Sequence, residues 1–198
     1  MSKIEGKTLK SVWHSLTPEG RDKIVSQLRD YIRQWRTLTA DKFGAVGGRP
    51  CQEVFFKHWS PPVESILSYG PYNSREEYNA GLVEAIKNSR GVDTLDPFPD
   101  NLAQRICALQ GEEKILSHGD LHRGNILVND DAVITGVVDW GSSSFSFMDR
   151  EYFDTRTRAE SKFESWKTAV EQLFPNDEKA NYQLFRELER ELVIYCGF

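Results

Sequence analysis

Cysteine is scarce, with Cys51, Cys107 and Cys196 alone among 198 residues. They are odd in number, widely spaced and outside any C-x-x-C or Cys/His pattern, so neither a disulfide framework nor a zinc site is indicated. Their expected role is that of small buried apolar residues. Long apolar runs are also missing: nothing approaches the roughly 20 consecutive apolar residues of a bilayer span, and residues 1–7 lack the apolar centre of a signal peptide. A soluble, cytoplasmic protein with no membrane partner is expected. Basic surplus is lacking too. Lys and Arg number 25 against 30 Asp and Glu, a net charge of -5, and the pI is near 5.5. That balance argues against nucleic-acid partners, because phosphate binding needs clustered Lys and Arg. Internal repeats, low-complexity tracts and dividing linkers are absent.

What is present suffices for one core. At 39% hydrophobic and 28% charged positions, the chain reads as one compact domain. Thr17, Pro18 and Glu19 give a cap, a first-turn proline and an early acid, and Ile24, Leu28, Tyr31, Ile32 and Trp35 follow at helical spacing, predicting a helix over about 18–38. Gly44, Gly47 and Gly48 with Val54-Phe55-Phe56 suggest a small hairpin or irregular excursion, prolonged as loop by Pro61, Pro62, Gly70 and Pro71. Ser74 and Glu77 form a capping box for a second helix ended by Gly91. Past Pro97 and Pro99, read as breakers, Leu102, Ile106 and Leu109 mark a third helix stopped near Gly111.

The period then changes. Ile115-Leu116, Ile126-Leu127-Val128 and Val133-Ile134 to Val138 read as short strands around polar loops. From Arg150 the helical pattern returns, with Phe163, Trp166, Val170 and Leu173 on one face, then Leu184, Leu188, Leu192 and Tyr195 on another. The fold class expected is α+β and mostly helical, with a small β-hairpin in its middle.

Chemistry concentrates between the strands. The segment Ser117-His118-Gly119-Asp120-Leu121-His122-Arg123-Gly124-Asn125 is followed, after an apolar stretch, by Asp139-Trp140-Gly141. Phosphoryl transfer needs a carboxylate aimed at the attacking hydroxyl and oxygen ligands that hold magnesium against the phosphates. Asp120 and Asn125 have the D-x-x-x-x-N spacing of a kinase catalytic loop, and Asp139-Trp140-Gly141 has the acid-aromatic-glycine form of the metal motif. An isolated Asp or Asn in a loop is more often a turn former; here spacing and flanking strands agree.

On these residues the sequence resembles the aminoglycoside-phosphotransferase and choline-kinase-like family, whose members carry H-G-D-L-H-x-x-N and then an apolar strand ending in Asp-Trp. The fungal branch is the most similar, because Ile4-Glu5-Gly6-Lys7-Thr8-Leu9 resembles the stretch after the interlobe hinge there. The resemblance implies a kinase-like C-terminal lobe with ATP and Mg2+ as cofactors. It implies Asp120 as catalytic base, with His118 a brace beneath the loop, and Asn125 and Asp139 as magnesium ligands. Leu127 and Val138 would form the floor under the adenine, with Ile4 of the hinge-like start beside them. His122 is expected to stabilise the loop, and Arg123 to face phosphate or a nearby carboxylate. The same likeness places substrate contacts among Asp149, Glu151, Tyr152, Phe153 and Asp154, with Trp59 and Tyr72; the plain alternative is a solvated helix start over core aromatics. Many relatives carry a glutamate where Gly141 follows Trp140, a departure that touches the local acidic network.

The expected organisation is a single lobe: 1–16 a hinge-like remnant, 17–112 helices with a Gly/Pro-rich insert, 113–141 the catalytic and metal-binding loops, and 142–198 C-terminal helices. Kinase-like enzymes cover the phosphates with a β-rich lobe bearing a lysine paired with a helix glutamate. Residues 1–16 offer no equivalent, and the glycines at 44–48 lead to no Gly-Lys-Ser/Thr signature. The expectation is therefore a lobe without most of its N-terminal partner, with three explanations open: a truncated sequence, an exposed face covered by another chain or a dimer mate, or a repurposed lobe. Function follows as transfer of phosphate from a nucleotide to the hydroxyl of a small molecule, impaired if that cover is lost. The competing expectation is a pseudokinase-like or repurposed module that binds or transforms a metabolite without ATP.

Overall fold

The computed structural model describes residues 4–56, 67–159 and 164–194; Trp59, Phe163, Tyr195 and Cys196 lie outside them. In chain order its elements are β1 (Lys7–Thr8), α1 (Leu9–Val12), α2 (Pro18–Trp35), β2 (Gly44–Ala45), α3 (Arg75–Arg90), α4 (Pro97–Cys107), β3 (Ile115–Ser117), β4 (Ile126–Val128), β5 (Ile134–Val137), β6 (Ser144–Ser146), α5 (Arg150–Arg158), α6 (Glu164–Leu173) and α7 (Tyr182–Ile194). They divide into two compact units, the first of residues 1–38, 116–143 and 149–179, the second of 39–115, 144–148 and 180–198. Among the described residues no helix is long and apolar enough to cross a membrane.

In the first unit, Thr17 caps α2 by accepting the Gly20 N–H at 3.1 Å, and Pro18 occupies the first turn, where a missing N–H costs nothing. Ile24, Val25, Leu28, Ile32 and Trp35 form the buried stripe. The helix stops at Trp35 rather than 38, because Thr37 and Leu38 take tighter bonds from their N–H groups to Gln34 and Trp35. Strands β1, β4 and β5 form one antiparallel sheet, with Thr8 opposite Leu127 and Leu127 opposite Gly136. Alternation buries Ile126 and Val128. Gln27 fastens α2 to the hairpin by accepting from the Ile134 N–H and donating to the Ala132 carbonyl, each at 3.0 Å.

Residues 1–16 are more than a hinge remnant. They supply β1 and α1, and Leu9 and Trp13 are fully buried. Trp13 meets Trp166 edge-on at 5.0 Å and donates its indole N–H to Ser165 at 3.0 Å. The segment expected as a hinge-like remnant thus contributes two core side chains.

In the second unit, Ser74 caps α3 by accepting the Glu77 N–H at 3.1 Å. Glu77 reaches back to the N–H of Asn73 at 2.8 Å, one residue before the usual partner. Gly91 closes α3 in the left-handed conformation. Pro97 and Pro99 are not breakers: both sit in the first turn of α4, where the N–H groups have no helical partner to lose. That helix ends at Cys107, leaving Leu109 beyond it. Cys51 is buried, but Cys107 is exposed at the end of α4. The glycine-rich insert provides β2, which pairs with β6 and also turns back on itself through an antiparallel bridge between Ala45 and Arg49. Phe43, Tyr78, Phe147 and Phe185 pack successively at 5.5, 5.4 and 5.2 Å between ring centroids to make the core.

Candidate active site

The loop that follows β3 is fixed from below by α5. Glu151 in the first turn of that helix accepts from the Ser117 hydroxyl at 3.0 Å and from the His118 N–H. His118 is fully buried, its ring 4.5 Å from that of Trp140. Nδ1 accepts the Asp120 N–H at 3.2 Å, so the proton of the neutral ring sits on Nε2 and is donated to the Val138 carbonyl at 3.0 Å. Burial lowers the pKa of His118 and favours that neutral form, partly opposed by the Val138 bond and by nearby Asp120 and Asp139.

One imidazole therefore joins Asp120 to the residue that precedes Asp139. Asn125 adds a second tie: its side-chain NH2 donates to the Asp120 carbonyl at 2.9 Å and carboxylate at 3.3 Å. Its backbone carbonyl accepts the Val138 N–H at 2.9 Å. With the amide nitrogen so used, Oδ1 accepts no hydrogen bond among the described residues. Asp139 is exposed in the left-handed region at φ 63° and ψ 59°, a conformation in which Asp is enriched and which recurs at functional sites. Gly119, at φ 74°, lets the loop approach the turn after Asp139: a Cβ there would overlap the Ser142 carbonyl. A Cβ at Gly141 would make only an ordinary contact with Asp139, 3.4 Å from Oδ1.

Above the loop lies an apolar face. Ile4 packs against Gly136, its Cγ2 about 3.0 Å from where a Cβ would stand, and the Thr135 hydroxyl holds the chain there by donating to the Glu5 carbonyl at 2.7 Å. Leu127 is directly opposite Gly136, and alternation puts Val138 on the same side. Ile4 is 42% exposed, while Leu127 and Val138 are half-buried. The three residues thus form a shallow apolar surface of the first unit.

A divalent ion at Asp139 and Asn125 would have one carboxylate and one amide oxygen from the chain. Among the described residues no three His, Cys, Asp or Glu side chains gather to hold a metal alone. That donor set suits magnesium, which binds through one or two protein oxygens and completes its shell with phosphates and water. The model of the APH phosphotransferase enzyme family matches residues 1–192. The chain belongs to the phosphotransferase enzyme family. No curated protein matches the sequence.

In this APH-family chain the other motif residues find separate places. His122 Nδ1 accepts the Gly124 N–H at 2.9 Å, closing the loop turn, and Nε2 lies 3.8 Å from Asp120 Oδ1. The Arg123 guanidinium lies 5.9 Å from the Trp166 ring centroid. Of the cluster expected either to contact substrate or to form a solvated helix start over core aromatics, Tyr152 and Phe153 are core aromatics, Glu151 and Asp154 are buried with them, and Asp149 is half-buried. Glu151 is spent on the loop, and Asp154 pairs with Arg150 through two contacts of 2.8 Å. Tyr152 donates to Glu171 at 3.0 Å, and Tyr72 belongs to the second unit.

Glu151, expected as a substrate contact or part of a solvated helix start, instead supports the loop from below, and Arg158 is a residue beside Asp120 that the motif does not include. Arg158 forms an ion pair with Asp120 Oδ1 and lies 3.6 Å from Asp154. The signal for it was present, because Arg150, Asp154 and Arg158 recur at i, i+4 with alternating sign.

Proposed function

We propose that this APH-family chain is a kinase-like C-terminal lobe that transfers the terminal phosphoryl group of ATP, with magnesium, to a hydroxyl of a small molecule. The observation carrying this reading is the imidazole of His118, which bonds Asp120 through one nitrogen and Val138 through the other. A base and a metal ligand drawn from separate loops must keep a fixed separation, and a buried neutral ring bonded at both ends provides it.

In the proposed reaction the acceptor oxygen bonds to the γ-phosphorus as the bond from that phosphorus to the bridging oxygen breaks. The hydroxyl proton passes to the Asp120 carboxylate. Asn125 orients that carboxylate, while Asn125 Oδ1 and Asp139 would hold magnesium, which would supply neutralisation of phosphate charge. Leu127, Val138 and Ile4 form the apolar rest for the base of the nucleotide.

Thermal unfolding with and without magnesium and ATP tests this. A ligand at a hundred times its Kd stabilises the folded state by about 2.7 kcal/mol, so millimolar nucleotide is expected to raise Tm, and Asp139→Asn to reduce the shift. An unchanged Tm at millimolar nucleotide would sink the reading.

A further inference from the structure

Beside Asp120 the first unit contains a cavity of about 370 Å³, lined by Lys10, Asp120, His122, Arg123, Gly124, Arg158 and Trp166. Its chemistry is lopsided. Lys10, Arg123 and Arg158 are three permanent cations facing one carboxylate. Arg158 touches Asp120, and its other acidic neighbour, Asp154, is already engaged by Arg150 at 2.8 Å through two contacts. Neither acid is therefore given wholly to Arg158. Lys10 is held at the loop because its backbone N–H donates to the Arg123 carbonyl at 2.9 Å. Its ammonium makes no ion pair among the described residues, and the residue is exposed. The buried ring of Trp166 supplies an apolar wall.

Such a cavity repels an ammonium and attracts an oxyanion. Its size accommodates a small hydroxylated acid. We infer that the acceptor is an anion, a hydroxylated small molecule whose carboxylate or phosphate is held by Arg158 and Lys10 while its hydroxyl meets Asp120. The arginine fork suits either oxyanion. By taking Arg158 as its counter-ion, the bound acid group loosens that residue's hold on Asp120 Oδ1 and leaves this oxygen to the hydroxyl. Burial, with the neighbouring Arg158 and Lys10 charges, holds the His122 pKa down against the raising effect of Asp120, which favours the neutral ring.

The identity of the reacting hydroxyl rests on the phosphotransfer reading; binding of the anion does not. The test is therefore calorimetric titration of the whole chain without nucleotide. The probes are gluconate and glycerol 3-phosphate, with glucose, glucosamine and choline for comparison. The expected result is millimolar or tighter binding of the two anions, weaker as salt rises, with neutral and cationic probes much weaker. Arg158→Gln and Lys10→Gln should each weaken anion binding about tenfold or more, and Arg158→Lys should restore part of it. Lys10 lies exposed on α1, so its variant reports on binding even if Arg158→Gln fails to fold.

The inference is overturned by glucosamine or choline binding as well as the anions, by no anion binding at millimolar concentration, or by indifference to the Lys10 change. ATP without metal also serves as a competitor. If it displaces gluconate, the cations serve the nucleotide phosphates instead, and assignment to the acceptor fails. Thermal shift with magnesium and ATP is read separately. Anion binding without a nucleotide shift keeps the anion site but defeats the phosphotransfer reading and, with it, the role of that anion as acceptor; a shift without anion binding overturns this inference alone.

Discussion

Glu151 holds His118 by its backbone, accepting that N–H and the neighbouring Ser117 hydroxyl on a single oxygen, Oε2. The other oxygen, Oε1, is buried without a hydrogen-bond partner among the described residues. Burial pushes the Glu151 carboxyl above its ordinary 4.5, against the lowering effect of the His118 and Ser117 bonds, and a proton on Oε1 would leave both bonds intact.

Glu151→Gln is accordingly expected to fold with little loss, because an amide oxygen still accepts from both donors. Glu151→Ala leaves two buried donors unmatched, at about 1–3 kcal/mol each. The pH dependence has a definite sign. With the folded pKa raised, the native state holds the proton longer than the unfolded chain, so this contribution is complete below 4.5 and is lost as pH rises through the higher folded value. Urea unfolding at acidic and alkaline pH should show the wild type losing ground to Glu151→Gln as pH rises. A difference that grew in the opposite direction would refute the assignment.

Gly119 and Gly91 make a matched pair. Both have positive φ, 74° and 65°, but a Cβ at 91 meets nothing within 4 Å, while one at 119 strikes the Ser142 carbonyl. Alanine at 91 should cost only the left-handed backbone penalty, about 1 kcal/mol. Alanine at 119 must also displace the turn after Asp139, so a loss of about 2–4 kcal/mol is expected, together with a weaker nucleotide-induced shift. Equal losses at the two positions would mean that the close approach carries no energetic weight.

Asp120→Asn separates turnover from binding. The amide keeps the shape and the Asn125 contact to the backbone carbonyl, but cannot take the hydroxyl proton. Turnover should fall about 10²–10⁴-fold, with the magnesium- and ATP-dependent rise in Tm retained. Undiminished turnover in the variant would remove Asp120 from the role of base.

The parts legible in the sequence are those set by neighbours in the chain. Thr17 and Pro18 start α2, Ser74 and Gly91 bound α3, and the spacing of Asp120, Asn125 and Asp139 anticipates a loop, a hairpin and a second loop. Local chemistry decides these, so local reading finds them. The inward turn of α5 was hidden for the opposite reason. Arg150, Glu151 and Asp154 look like a solvated helix start, and the partner that draws Glu151 inward, His118, stands 33 positions earlier. Strand β6 was hidden likewise, since its partner β2 is separated from it by about a hundred residues and Ser144-Phe145-Ser146 has little strand character of its own. Pro97 misled because proline breaks a helix interior but suits its first turn.

His118→Leu examines the tie between the two loops directly. Leucine fills part of the buried space but cannot accept the Asp120 N–H or donate to the Val138 carbonyl, so one buried donor and one acceptor lose their partners. Stability should fall by about 1–3 kcal/mol for each group left unmatched. Turnover should fall about 10²-fold if the separation of Asp120 from Asp139 relaxes. The pH profile distinguishes this from simple loss of packing. With the folded His118 pKa depressed by burial, the unfolded chain takes up a proton below 6.5 while the native ring does not. This contribution is therefore retained above 6.5 and declines as pH falls toward the lower folded value. His118→Leu should abolish that part of the acid slope in urea unfolding; a variant with the full wild-type slope would show that another group titrates there and that His118 does not serve as the neutral tie.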